Sequence, residues 1–147
     1  MFYTVLMKIN TKIIEQLKVL CHSGTHPKVW IASALVYKNK VISYGVNQMK
    51  THPYQSRYAK NEDSIFWHAE TSAIFTAEKL KFDRFDQSIL YIARMKFDSP
   101  EKTNFISGLS APCEGCFRCI KDYNIKRVIY TLDHIDGTKE NYGVLTI

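Results

Sequence analysis

A chain of 147 residues with 46% hydrophobic and 23% charged residues has the make-up of an ordinary globular protein and is long enough to bury a core without disulfides. A single domain spanning residues 1–147 is therefore expected; no apolar run reaches ~18 residues, so a membrane-spanning helix is excluded. The net charge of +6 favours anionic partners, either a phosphate-bearing nucleotide or a nucleic acid, without requiring one. Residues 1–10 carry Lys8 after their apolar residues and no small-residue cleavage site, so they do not read as a signal peptide. Three of the four cysteines crowd into residues 113–119, which suits metal binding in a reducing cytoplasm better than a disulfide framework.

In chain order, Asn10 or Thr11 is suited to cap a first helix in which Ile13, Ile14, Leu17, Leu20 and Cys21 form one apolar face. Gly24 and Pro27 end it. Cys21, His22 and His26 lie close together there, but no partner of ligand spacing follows, so a second metal cluster is not expected. β-Branched and aromatic residues over 29–37 and 41–47 predict two strands joined by a tight turn at Lys38-Asn39. Residues 48–63 are polar and irregular and include Lys50, His52, Tyr54, Arg57, Tyr58 and Lys60. A loop of this length in a small domain is uncommon and often functional. Two readings stay open for it: a solvated face, or a substrate lid whose cations meet phosphate and whose tyrosines stack on a base.

Asp63 or Ser64 is expected to cap a central helix running to about Leu80 and packed inward through Ile65, Ala69, Ala73, Ile74 and Ala77. Next come a third strand over 88–95, a second long polar loop over 96–111, a helix from the cysteines to about Tyr123, and a fourth strand over 125–131. About ten residues separate Thr131 from a candidate fifth strand over 142–147. That is too short for a helical crossover of a dozen or more, so the last strand is expected to run antiparallel. The whole describes an α/β protein, a three-layer α/β/α sandwich around a central mixed sheet of four to five strands.

The chemistry concentrates in His68-Ala69-Glu70 and Pro112-Cys113-Glu114-Gly115-Cys116. Together they supply one nitrogen ligand, two sulfur ligands and a carboxylate, the inventory of a catalytic zinc site with its fourth position open to water. Pro112 can lead into a helix. Cys113 and Cys116 then lie three apart on one face of its first turn, where the positive end of the helix favours thiolate. Glu70, two residues after His68, points away from the direction His68 takes and is set beside the metal. Such a metal lowers the pKa of water from ~15.7 to ~7, and a carboxylate so placed can take the proton, deliver it to a ring nitrogen and help ammonia leave. Either half alone is weak, since a lone C-x-x-C is as often a redox pair or half of a structural zinc site. Both in this order, with the proline, point to a catalytic metal site with a proton-carrying carboxylate beside it. Cys119 offers a fourth ligand for a structural zinc, but that reading gives Glu70 no purpose, and Cys119 is read as a small buried helix residue.

The pattern H-x-E followed by P-C-x-x-C is similar to the signature of zinc-dependent base deaminases, and from about residue 10 to about residue 131 the chain resembles the cytidine deaminase superfamily. The resemblance implies one catalytic Zn2+ on His68, Cys113 and Cys116, with Glu70 as the catalytic proton shuttle. It also implies Asn47 at the substrate sugar, and the backbone N–H of Ala69 and the carbonyl of Ser110 or Ala111 at the base edge. Gly45-Val46-Asn47, Met49-Lys50-Thr51-His52-Pro53 and His-Ala-Glu are together similar to the small deoxycytidylate deaminases of bacteriophages. Lys50, Tyr54 and Arg57 are then further candidate substrate contacts, while Ser72 stands where those enzymes usually carry an asparagine. An antiparallel last strand, in contrast, resembles the superfamily's enzymes for free nucleosides.

The expected reaction is conversion of dCMP to dUMP with release of ammonia, for nucleotide-pool metabolism. The expected setting is a homo-oligomer in the cytoplasm, the host's if the chain is phage-encoded, with no membrane partner. The alternatives are free cytidine or deoxycytidine, an adenine nucleoside or nucleotide, or a base within single-stranded DNA or RNA. An idle zinc-stabilised binding module is a further alternative, against which the intact Glu70 speaks.

Overall fold

In this computed structural model, residues 8–25, 29–58, 66–99, 101, 104–137 and 140–147 are described. Asn10 starts the first helix by accepting the Ile13 amide on its Oδ1, 3.4 Å away, the bond a short carboxamide makes best at an N-cap. α1 (Thr11–Leu20) buries Ile13, Ile14 and Leu17 and ends in a 3-10 turn, Cys21–Ser23, in which Cys21 is buried as well. β1 (Trp30–Tyr37) and β2 (Lys40–Val46) form the expected hairpin. Lys38 and Asn39 both take positive φ, 51° and 61°, as in the two-residue turns whose twist matches the strands.

The remaining elements are α2 (Pro53–Ser56), α3 (Ala69–Lys79), β3 (Ile89–Phe97), β4 (Phe105–Gly108), α4 (Glu114–Asp122), β5 (Arg127–Thr131) and β6 (Tyr142–Thr146). The strands make one mixed sheet in the order β2-β1-β3-β5-β6, with β4 also paired to β3. Only β3 and β5 are parallel, and α4 supplies the crossover between them. β6 runs antiparallel to β5, with Thr131 opposite Tyr142 and Arg127 opposite Thr146, as the short connection requires.

Two expectations are corrected. The sheet has six strands because β4 forms inside the stretch read as a polar loop. Asp98 donates its amide to the Asn104 carbonyl and accepts the Asn104 backbone and side-chain N–H groups on its carboxylate. That clasp turns the chain back, so Phe105 lies opposite Phe97. The central helix also starts later than expected. Thr51 pairs with Phe66, and the Trp67 amide donates to the Lys50 carbonyl at 3.0 Å, which keeps the backbone extended up to His68. Asp63, Ser64 and Ile65 lie outside the described residues, as do His26, Pro27 and Lys60.

The sheet separates two apolar layers by its period of two. Ala32, Ala34 and Val36 of β1 join Ile13, Ile14, Leu17, Tyr91 and Ile129 under α1. Leu35 joins Ile74, Leu90, Ile92, Ile120 and Val128 under α3 and α4. α3 rides close on β2 because residue 45 is glycine: a Cβ there would stand 2.2 Å from the Ala69 carbonyl oxygen.

Candidate metal and catalytic centre

α3 and α4 each run back toward the start of the next strand, β3 and β5, so their amino ends meet beyond the carboxyl end of β5. Ser110 ties this corner together. Its amide donates to the Thr131 carbonyl at 3.0 Å and its hydroxyl to the Ile92 carbonyl at 2.9 Å. Three residues on, Cys113 is the N-cap of α4, its Sγ accepting the Cys116 amide at 3.5 Å. Across from it, His68 is the N-cap of α3 and makes no side-chain cap bond.

The His68 ring is turned to the cysteines instead. Its Nδ1 lies 3.6 Å from Cys113 Sγ and 3.3 Å from Cys116 Sγ, and the three ligand atoms are all within 4.8 Å of one another. Tetrahedral zinc, with bonds of about 2.3 Å to sulfur and about 2.0 Å to nitrogen, sets such ligands about 3.5 Å apart. Donor set and spacing therefore fit a zinc ion. This is the one group of three potential ligands among the described residues. Cys119 is not part of it: buried on α4, its Sγ sits 3.6 Å from the Tyr54 hydroxyl.

Charge in the cluster is arranged for a cation. The Cys113 thiol is lowered to about 3, chiefly by a hydrogen bond from the Cys116 thiol, with His68 and the Cys116 amide adding to it against the effect of burial. The Cys116 thiol moves the other way, well above its ordinary value, because it donates to that thiolate and is itself buried. Both shifts describe one proton held between two sulfurs, which a divalent cation would replace. His68 is raised by its hydrogen bond to Cys113 in spite of burial. Glu70, in the first turn of α3 and 5% exposed, is not a member of the ligand triangle. Desolvation pushes its carboxyl up, and His68 and the Cys116 thiol pull it partly back. A buried carboxyl with a raised pKa can both accept and return a proton.

The other candidate residues divide. Ala69 is buried and opens α3, where first-turn amides have no partner within the helix. Ser110 and the exposed Ala111 lead directly into Pro112-Cys113. Asn47 is 8% exposed and braces the start of β1, its Oδ1 accepting the Ile31 amide at 2.9 Å and its Nδ2 donating to the Val29 carbonyl at 2.7 Å. One amide proton and one lone pair remain for a ligand. The exposed Lys50 holds its Nζ 5.3 Å from the centre of the Trp67 ring, next to His68.

Tyr54 is buried, so it does not present the open ring that the lid reading expects. Pro53 in the first turn, with His52 accepting the Tyr54 amide on Nδ1, coils the segment into α2. Tyr54 is thereby buried against Phe75 and Cys119, and its phenol is pushed strongly up by desolvation. Arg57 lies over the Tyr54 ring and lines an open pocket of about 390 Å³ with Glu78, Lys79 and Lys81.

Two structural supports of the site escaped the sequence reading. Gln55, buried on α2, accepts the His68 amide at 3.2 Å; the His52-Pro53 cap signal would have found its helix. Gly115 lets the Tyr58 carbonyl close on the start of α4, since a Cβ there would stand 2.1 Å from that oxygen. The side chain of Arg118 donates to the same carbonyl at 3.0 Å.

Residues 7–132 match the model of the cytidine and deoxycytidylate deaminase zinc-binding region. No curated protein matches the chain. Among solved structures, cytidine deaminase from Burkholderia pseudomallei is similar with a TM-score of 0.60 and 17% identity, over 95% of this chain and 93% of that one. The dCMP deaminase of cyanophage S-TIM5 in apo form is similar with a TM-score of 0.54 and 17% identity, over 84% and 86%. These likenesses show a shared fold.

Proposed function

Because the chain belongs to the cytidine and deoxycytidylate deaminase family, we propose that it catalyses zinc-dependent hydrolytic deamination of a cytosine nucleotide, dCMP to dUMP with release of ammonia. The observation that carries this reading is the triangle of His68, Cys113 and Cys116 with the buried Glu70 carboxyl beside it. His68, Cys113 and Cys116 would hold a zinc ion, which when bound would acidify a water, lowering its pKa from ~15.7 to ~7. Glu70 takes a proton from that water, hands it to the ring nitrogen of the base, and assists proton delivery to the departing amino group. The water oxygen becomes the new ring carbonyl, and the bond from ring carbon to amino nitrogen breaks to give ammonia. Ala69 N–H and the carbonyl of Ser110 or Ala111 bind the base edge, Asn47 the sugar, and Lys50 the phosphate. Assembly of several copies, in the cytoplasm, is part of the same reading.

The nucleotide form is supported by the net charge of +6 and by the S-TIM5 enzyme, whose structure in complex with dCMP and dUMP is similar to this chain at a TM-score of 0.50. A second reading, turnover of free cytidine or deoxycytidine, is favoured by the antiparallel β6. An ultraviolet assay on cytidine, deoxycytidine, their monophosphates, the adenine counterparts and a short single-stranded oligonucleotide, with Glu70→Ala as blank, separates the readings. Turnover confined to dCMP supports the proposal; turnover confined to nucleosides or to the oligonucleotide replaces it. If Lys50 meets the phosphate, Lys50→Ala raises KM for dCMP and leaves KM for deoxycytidine unchanged; equal effects sink that contact.

A further inference from the structure

A helix satisfies its first amides with the side chain of its N-cap residue, and at α3 that residue is His68, whose ring is committed to Cys113 and Cys116. The His68 backbone is held from elsewhere. Gln55 of α2, 1% exposed, accepts the His68 N–H on its Oε1 at 3.2 Å and receives a short hydrogen bond from the Thr71 hydroxyl on the same oxygen. The Thr71 Oγ1 also stands 3.2 Å from the His68 carbonyl, so one residue of α2 and one turn of α3 grip both polar groups of the His68 backbone.

α2 is itself fixed to the strand that leads into His68. The His52 ring stacks on Trp67 with centroids 4.0 Å apart, Thr51 pairs with Phe66, and the Gln48 amide donates to the Trp67 carbonyl at 2.9 Å. Movement of α2 therefore carries residues 66–68 with it.

We propose that Gln55, together with Thr71, is a positioning residue for the metal centre: it holds the backbone of the N-cap residue itself, fixing His68 so that Nδ1 keeps its place in the ligand triangle. An apolar side chain at 55 would take the acceptor away from the half-buried His68 N–H. Partners behind a metal ligand act on metal retention, typically by 10–100-fold. The inference rests on His68 being a metal ligand and not on which substrate is turned over.

Release of zinc from the purified, metal-loaded chain to a chromogenic chelator reads retention in the folded protein without turnover. Gln55→Met keeps the volume and removes the acceptor; release is expected to quicken by ~10–100-fold. Thr71→Val is expected to quicken it less, and the two changes together less than the product of their separate effects, as for one shared device. Ser43→Ala is the control, because Ser43 Oγ donates to the Ala73 carbonyl at 2.7 Å and its loss weakens α3 without touching His68. It should lower Tm and leave release at the wild-type rate. If Gln55→Met does not fold, Thr71→Val decides: release faster than in Ser43→Ala supports the proposal, and equal release overturns it. Zinc bound by wild type, Gln55→Met and Thr71→Val and released at equal rates overturns the role of Gln55 alone, whereas a wild type that binds no zinc overturns the metal reading beneath it.

Discussion

Cys21 and Cys113 are the same residue type on opposite faces of one sheet, and their surroundings give them opposite chemistry. On the α1 face, Cys21 is fully buried among Ile14, Leu17 and Ala93, with its Sγ donating to the Ala93 carbonyl at 3.4 Å. Desolvation pushes that thiol up to about 11. On the α3–α4 face, Cys113 stands at a helix N-terminus beside a second thiol and an imidazole, and its thiol falls to about 3. The polar load differs in the same way. Gln55, Glu70, Thr71 and Ser72 are all buried around the start of α3, whereas the cluster under α1 is built of aliphatic and small residues with the Tyr91 ring. One face is packing; the other holds groups whose charge is useful, and a cysteine is inert or ligating according to which it joins.

Exchanging the thiols for methyls breaks the comparison most sharply. Cys113→Ala and Cys116→Ala are expected to lose zinc and all turnover, while Cys21→Ala keeps both and loses stability on the order of 1 kcal/mol. Metal analysis of the three purified variants beside their Tm values checks this, and zinc loss in Cys21→Ala would erase the distinction between the faces. Glu70→Gln comes next. It should bind zinc fully and lose ~10²–10⁴-fold in kcat, the usual range for a general acid–base. Loss of zinc in that variant would make Glu70 a ligand and not a neighbour of the site.

Leu17→Ala sharpens the other side of the comparison. Leu17 is fully buried under α1, and truncation of such a residue costs about 2–5 kcal/mol through lost burial and the cavity left behind. Denaturant midpoints should fall accordingly, with kcat per folded molecule unchanged. A fall in kcat at low denaturant would mean that α1 packing reaches the metal centre through the sheet.

Legibility in the sequence also divided by face. The α1 layer follows from an Asn cap and a 3.6-residue apolar period, and the antiparallel β6 follows from a connection too short to cross over; both depend on local pattern and chain length. The metal triangle was legible because His-x-Glu and Pro-Cys-x-x-Cys are local spacings, although 45 residues separate His68 from Cys113. What was missed depends on tertiary approach. Gln55 reaches His68 because α2 docks on the start of α3, and β4 pairs with β3 next to the contacts between Asp98 and Asn104. Tyr54 and Arg57 were read as one basic, aromatic surface because residues 48–63 were treated as unstructured. A single helical turn capped by His52-Pro53 sends Tyr54 inward and Arg57 to an open pocket.

The effect confined to the narrowest conditions, alkaline pH, is the pH dependence that Cys21 adds to stability. An unfolded thiol loses its proton near pH 9.0, whereas the buried Cys21 keeps its proton to about 11. Below pH 9 both states hold the proton and the contribution is fully present. Between pH 9 and about 11 the unfolded chain releases a proton that the native chain retains, so the contribution is lost as pH rises, by at most ~1.4 kcal/mol per pH unit. Cys113 and Cys116 share one proton, so their opposite shifts belong to the pair and are common to wild type and Cys21→Ala. Urea unfolding of wild type and Cys21→Ala between pH 8 and pH 11 isolates the Cys21 contribution, because Cys119, raised to about 12 by burial, and the surface lysines are common to both chains. The stability difference between wild type and variant should fall steadily above pH 9 and, with only about 1 kcal/mol to lose, change sign before pH 11. A gap that stays constant would mean that the Cys21 thiol ionises as readily in the native chain as in the unfolded one, and the α1 face would then admit water where the packing says it does not.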